Sequence, residues 1–187
     1  MSLDVTASEL INATPDAVAA IQFDPLNDPG WIGGVDQAEW ASDPPLRQGS
    51  EGRRLGRFAG RPIEWLMHVE AFEPARHVGM RSIRAPFPME VDYSLEPAEG
   101  GRTRASIRIR GAAAGPYRLP GPILSFMVRR SVSGDLKRLR RLVEGKPLAG
   151  TPRKEIPAAR ERGKNGQQSN ETYYFPEFHC SPGIRGK

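Results

Sequence analysis

Between about residues 119 and 144, apolar residues recur at three-to-five-residue steps, which is the spacing of one buried helix face. At 1.5 Å per residue, this helix would be about 39 Å long. The chain before it, from about 34 to 111, alternates with period two, so we expect the helix to lie across an antiparallel sheet. A helix held off a curved sheet at one end leaves a cavity suited to an apolar molecule. The predicted buried positions are Ile123, Met127, Val132, Leu136, Leu139 and Val143.

The segments before that helix predict seven strands and two short helices. Residues 3–11 alternate as a first strand, and Thr14, Pro15 and Asp16 then combine a helix N-cap with a proline at the first helical position. A second short helical segment ends near Trp31, and six strands follow, separated by turns rich in glycine and proline. The stretch 49–56 superficially resembles a glycine-rich phosphate loop but lacks the lysine ending, so we interpret it as a hairpin or bulged strand. The sequence therefore predicts an α+β fold with one curved antiparallel sheet.

Composition limits the possible classes of protein. The chain has 187 residues, enough for one domain with spare length, and a single cysteine, which excludes an intramolecular disulfide. Three dispersed histidines and one cysteine make no zinc pattern, and we expect neither a metal nor a cofactor. The first ten residues lack the apolar core of a signal peptide, and no run of 18 apolar residues exists. We therefore expect a cytoplasmic protein.

Charge is unevenly distributed along the chain. The sequence has 27 basic and 22 acidic residues, and the stretch 119–146 contains seven of the former and two of the latter. The simplest interpretation is a solvated helix face whose long basic side chains cover apolar surface. The alternative is a weak contact with an anionic membrane, because cations on one face attract such surfaces. No aromatic platform for nucleic acid accompanies them. The candidate cations are Arg130, Lys137, Arg138 and Arg141.

A change in composition after Pro147 predicts a domain boundary. Residues 148–171 contain almost no large apolar side chain, so they cannot bury enough surface to become ordered. The segment from Tyr173 to Phe178 is aromatic, and a short docking role is the alternative to an unstructured appendage. We predict a ligand-binding domain over 1–147 and a disordered tail over 148–187.

The strand faces supply the candidate site. In the clearest strand, one face carries Ile63, Trp65, Met67, Val69 and Ala71, and the other carries Glu64, His68 and Glu70, which we expect in solvent. An inward arginine, with Arg81 and Arg84 as candidates, could hold a carboxylate or enolate. Met and Tyr suit an apolar site because Met adapts its shape and Tyr offers one hydroxyl. The predicted ligand-binding residues are Trp65, Met67, Met89, Val91, Tyr93, Ile107, Ile109, Phe126 and Met127.

Several short motifs, taken in order, resemble a known superfamily. They are the helix start Thr14–Val18, Trp31 after Pro29 with Val35 four residues on, Gly49 after a proline-containing loop, Glu73-Pro74, Gly101-Arg102-Thr103, and Asp135-Leu136 with Leu139 and Glu144. Over residues 3–145 the chain resembles the START-like SRPBCC superfamily, which includes polyketide cyclase/dehydrase and lipid-transport proteins and is related in fold to the birch-pollen allergen. The resemblance implies a helix-grip fold with an apolar interior cavity and leaves the ligand open.

Three functions remain open on the sequence. The first is binding or transport of a hydrophobic small molecule that resembles a lipid or a polyketide. The second is an enzyme of the cyclase, aromatase or dehydratase type, whose catalytic residues the sequence does not identify. The third is an interaction module that docks on an anionic surface through the basic helix. Two or more convergent titratable groups in a cavity would favour the enzyme, and an apolar lining with one or two polar anchors would favour the carrier.

Overall fold

The computed structural model describes residues 2–58, 61–85, 88–112 and 121–145. Its elements are, in chain order, β1 (Ser2–Ile11), α1 (Pro15–Gln22), a 3-10 turn (Pro25–Asn27), α2 (Asp28–Trp31), β2 (Val35–Trp40), β3 (Glu51–Phe58), β4 (Arg61–Glu73), β5 (His77–Arg84), β6 (Met89–Ala98), a second 3-10 turn (Glu99–Gly101), β7 (Arg102–Ala112) and α3 (Gly121–Val143). The strands form one antiparallel sheet in the order β1-β7-β6-β5-β4-β3-β2. The predicted α+β architecture is confirmed, and the predicted tail, 148–187, lies outside the described residues.

Local sequence explains where the elements begin and bend. The Thr14 hydroxyl accepts a hydrogen bond from the Ala17 backbone N–H at 3.4 Å, which caps α1 as predicted. Two irregularities in the β4–β5 pairing, at 66/67 and 69/71, bend the sheet. The second irregularity also reverses which of the following β4 residues point toward the core and which point outward. As a result Phe72 packs on the core while Ala71 is exposed, so the predicted inward position of Ala71 is wrong.

The core lies between the concave face of the sheet and the helices. It joins strand residues such as Val69, Val78 and Leu95 to Trp31 of α2 and to α3. The buried stripe of α3 consists of Leu124, Val128, Val132, Leu136 and Leu139, with Val128 only partly buried. No helix in the described part of the chain is long and apolar enough to cross a membrane.

The predicted inner face of α3 is wrong in its first half. Ile123, Phe126 and Met127 are 52%, 65% and 53% exposed. At about 100° per residue, Phe126 is turned roughly 200° from the buried Leu124, and Met127 lies roughly 100° from Val128. The first half of this helix carries apolar residues on two faces, and packing selects the face that contains Leu124 and Val128.

Polar contacts anchor the second half of α3 to α2 and β1. The Asp135 carboxylate accepts a hydrogen bond from the Gly33 backbone N–H at 2.9 Å and also pairs with Arg138. Arg138 Nε donates to the Trp31 carbonyl at 2.9 Å. Two residues further on, Arg140 pairs with Glu9 of β1 at 2.9 Å. The loop after α2 and the start of the sheet are thus held against one half of the helix.

Candidate functional site

Seven of the nine predicted ligand-binding residues share the concave face of the sheet. Four of them are buried in the core, and three are partly buried and pack against it. Phe126 and Met127 lie on the outer side of α3, so their predicted place in the site is wrong. The buried four are Met67, Val91, Tyr93 and Ile107, and the partly buried three are Trp65, Met89 and Ile109. A ligand-binding role for these seven stays a prediction.

A small cavity lies between the concave sheet and the segment that joins α1 to α2. The space open to the centre of a water molecule is about 20 Å³, which is room for about one water. Pockets that enclose drug-sized ligands measure roughly 300–1,000 Å³. The lining is mostly apolar with three polar side chains. It comprises Gln22, Phe23, Pro25, Trp40, Leu46, Gly52, Arg54, Met67, Val69, Val78, Met80 and Tyr93.

A buried ion pair stands at one wall of this cavity. Arg54 Nε of β3 donates to Asp28 Oδ2 of α2 at 2.6 Å, and the two residues are 6% and 0% exposed. Burial raises the pKa of Asp28 to about 6, although the positive charge of Arg54 acts in the opposite direction. Burial is the largest single influence on the pKa of Arg54 and lowers it, but the charges of Asp28 and Tyr93 and the hydrogen bond to Asp28 together raise that pKa. At neutral pH the pair is therefore charged and holds the guanidinium in place at the cavity.

The sequence analysis missed this arginine. Arg81 and Arg84, the predicted inward candidates, are both exposed, and Arg81 pairs with Glu70 at 2.6 Å. Arg54 points inward on the same strand face as two glycines, which stand two residues to either side of it. A side chain at Gly56 would collide with the Gly34 carbonyl, whereas Gly52 lines the cavity beside Arg54. An arginine between two glycines at alternate positions was the available signal.

Other buried polar atoms surround the ion pair. Among the described residues, Asp28 Oδ1, Trp31 Nε1 and both polar atoms of the Gln22 amide have no hydrogen-bond partner. Such atoms are rare in folded proteins, since each costs roughly 1–3 kcal/mol. Tyr93 lines the same cavity, packs edge to face on Trp31 with ring centroids 5.8 Å apart, and has its pKa raised by burial. The wall can thus donate hydrogen bonds from Arg54, Gln22 and Tyr93.

The outer face of the sheet carries the remaining titratable groups of the predicted central strand. Glu64 pairs with Arg53 at 2.8 Å, His68 with Glu51 at 3.3 Å, and Glu70 with Arg81. Their predicted position on the outer face is confirmed. The described residues contain no cluster of three or more His, Cys, Asp or Glu side chains that could hold a metal ion.

Residues 2–144 match the sequence profile of the family described as "Polyketide cyclase / dehydrase and lipid transport". The chain belongs to this family. The predicted resemblance is confirmed, and membership of the polyketide cyclase/dehydrase and lipid-transport family fits both hydrophobic ligand binding and cyclase chemistry in general. No curated protein sequence matches the chain significantly.

Solved structures support the fold of this family member. An aromatase/cyclase, Zhui, from Streptomyces sp. R1128 shares 20% identity with a TM-score of 0.64, over 77% of this chain and 94% of its own. A START superfamily protein from Mycobacterium smegmatis shares 16% identity with a TM-score of 0.67, over 76% of this chain and 97% of its own. Ara h 8.0201 shares 14% identity with a TM-score of 0.58, over 78% of this chain and 100% of its own. At these identities the likeness establishes the helix-grip fold.

Proposed function

We propose that this protein binds or transports a hydrophobic small molecule of lipid or polyketide type on the concave face of its sheet. The observation that carries the proposal is the Gln22 amide, which is buried at the wall of an apolar cavity without a described partner. Beside it, the Arg54 guanidinium is held in place by Asp28 and offers further N–H donors. A ligand oxygen placed there would accept hydrogen bonds from both side chains and remove the cost of leaving the Gln22 N–H groups unpaired.

The apolar part of the ligand would extend along the strand faces. Met67 lines the cavity, and Trp65, Met89 and Ile109 continue the same concave surface toward the partly buried end. The strand register supports this path, because Met67 pairs with Ser82, whose hydroxyl accepts a hydrogen bond from the Met89 backbone N–H at 2.9 Å. An oxygen at Gln22 and Arg54 with a hydrocarbon body toward Met89 is the expected orientation.

A ligand of this size needs more space than the cavity provides. We expect the wall to open by rotation of Met67 and Met80, because thioether side chains change rotamer at low cost. Leu46 precedes β3 in a segment without regular secondary structure, so it can also move without breaking strand pairing. Binding should therefore stabilise an expanded form of the same fold.

A cyclase, aromatase or dehydratase function is the alternative. The observation that favours it is the meeting of Asp28, whose pKa is raised to about 6, with Arg54 and Tyr93 near one cavity. The carrier is better supported, because Arg54 is neutralised by Asp28 and because burial makes the Tyr93 hydroxyl a weak acid at neutral pH. A carrier needs these groups only as hydrogen-bond partners.

Titration with an environment-sensitive apolar dye tests the ligand site. We expect one dye per folded chain, and Met67→Trp should abolish binding by filling the cavity wall. Ile83→Trp places the same ring on an exposed position and is the matched control. Dye affinity that is equal in wild type and Met67→Trp, with both folded by circular dichroism, would contradict the proposed site.

Native mass spectrometry separates carrier from enzyme. If the protein is a carrier, protein purified from its source should release a bound hydrophobic molecule. That molecule should keep the same mass after repeated incubation with the protein. Conversion of an extracted polyketide-like compound, lost in Asp28→Asn, would instead favour the enzyme.

A further inference from the structure

One face of α3 exposes a continuous stripe that the core does not use. Its six residues fall within an arc of about 100° on the helix, opposite the buried stripe. Over the 18 helical steps from Ile123 to Arg141, the stripe is roughly 27 Å long. We name it the α3 outer stripe, and it consists of Ile123, Phe126, Met127, Arg130, Lys137 and Arg141.

The first two turns of the stripe are apolar. Ile123, Phe126 and Met127 are each more than half exposed, and they are three of the five large apolar side chains exposed in the described part of the chain. Single exposed apolar residues are ordinary, but three neighbours on one helix face typically mark an interaction site.

The rest of the stripe is cationic. Within the described part of the chain, the ion pairs of α3 are made by Arg138, with Asp135, and by Arg140, with Glu9 and Glu144. Arg138 also donates to Trp31, so it is directed to the core side of the helix. Arg130, Lys137 and Arg141 are exposed, and their charges are not neutralised by described residues.

We propose that the α3 outer stripe docks on an anionic lipid bilayer. An apolar cluster inserted at the boundary of headgroups and acyl chains, with cations beside it at the phosphates, is the arrangement of an interfacial amphipathic helix. Each basic side chain near an anionic surface adds to binding. This proposal depends only on the surface and stands apart from the ligand proposed above.

Two other occupants fit less well. A second copy packed against the stripe by a two-fold axis would set the apolar end of one α3 against the cationic end of the other when the helices are antiparallel, or like charges together when they are parallel. Nucleic acid would use the cations but would leave the aliphatic cluster of Ile123 and Met127 without a role.

Vesicle flotation with the full chain tests the docking. We expect binding to vesicles of equal phosphatidylglycerol and phosphatidylcholine at low salt, and at least roughly tenfold weaker binding to phosphatidylcholine alone. Arg130→Gln/Arg141→Gln should weaken the binding roughly 20-fold, and Ile123→Ser/Phe126→Ser should weaken it at least about fivefold. Circular dichroism should show all variants folded.

Matched controls use exposed residues outside α3. Arg76→Gln/Arg104→Gln removes the same charge, and Leu26→Ser removes an apolar side chain that is 55% exposed. We expect both to bind within about twofold of wild type. Binding that persists in both stripe variants, or that is equal on the two vesicle types, overturns the proposal. The proposal is also overturned if the stripe variants lose self-association or RNA binding but keep vesicle binding.

Discussion

The two halves of α3 are held by the domain in different ways. In the second half, Val132, Leu136 and Leu139 are buried, and Asp135 and Arg138 join the helix to Gly33 and Trp31. In the first half, Leu124 is the one buried side chain among the described residues, in a small cluster with Leu3 and Val5. The same helix therefore serves as part of the core at one end and as an exposed surface at the other. The amphipathic pattern does not set these roles, since both halves carry an apolar stripe; the tertiary contacts of each half set them.

The largest effect should come from breaking the Asp28–Arg54 ion pair, which holds α2 on β3. The second half of α3 is anchored against α2. Asp28→Leu or Arg54→Met alone leaves one buried charge unpaired and should cost about 3–5 kcal/mol of unfolding free energy. The double variant should recover much of that loss. Arg53→Gln, one residue away on the exposed face, is the control and should cost under about 1 kcal/mol. Urea denaturation at pH 8 measures all four, and a double variant as unstable as the singles would contradict this assignment.

The same substitution in each half compares their packing directly. Leu136→Ala removes a fully buried side chain from the main core and should cost about 3–4 kcal/mol, whereas Leu124→Ala should cost about 2 kcal/mol. Phe126→Ala, on the outer stripe, should change stability by less than about 0.5 kcal/mol. Thermal and urea unfolding check the order, and a cost at Phe126 equal to that at Leu136 would show that this face is packed in solution.

The pH dependence of the unfolding free energy should reveal the raised pKa of the buried Asp28 carboxyl. Its pKa is raised from 3.8 to about 6 in the folded state, so the folded protein holds the proton more tightly than the unfolded chain. The stability contributed by this carboxyl is complete below about pH 4 and is lost as the pH rises through 6. The difference in unfolding free energy between wild type and Asp28→Asn should shift by about 2 kcal/mol, in favour of Asn, from pH 4 to pH 7. A constant difference across this range would mean that Asp28 ionises in the folded protein as in the unfolded chain.

The smallest expected effect concerns Gln22. Because its amide is buried without a described partner, Gln22→Met should stabilise the ligand-free protein by about 1 kcal/mol. The same variant should weaken binding of a ligand that carries an oxygen, while a purely apolar dye should bind as before. Thermal unfolding measures the change in stability, and titration with the ligand and with the dye measures the change in affinity. Loss of stability would indicate that the amide has hydrogen bonds that the described residues do not provide.

The sequence predicted the fold well because the signals for it are local. Strand alternation, the cap at Thr14 and the turn residues each act over a few positions, and the antiparallel sheet follows from hairpin connections. The face of α3 was harder to predict. Ile123 and Met127 have the same spacing as Leu124 and Val128, so only contact with Leu3 and Val5 of β1 selects the buried pair.

The polar wall of the candidate site could not be found from periodicity. Asp28 and Arg54 are far apart in sequence. Asp28 stands before Pro29, which suggests a turn, and Arg54 follows Arg53, which suggests an exposed strand. Their pairing depends on the approach of α2 to β3 across the concave face. The apolar half of the site, including Met67 and Tyr93, was predicted because alternation alone assigns it to the inner face.

Hydrogen–deuterium exchange along α3 tests the unequal anchoring most directly. Amides from 134 to 142 should exchange at least roughly tenfold more slowly than those from 126 to 130, because opening the first half breaks fewer buried contacts. This comparison avoids the first four amides, which lack helical partners in any helix. Anionic vesicles should slow exchange in the 126–130 segment and leave 134–142 unchanged. Equal protection of both segments, with no change on vesicles, would contradict the account.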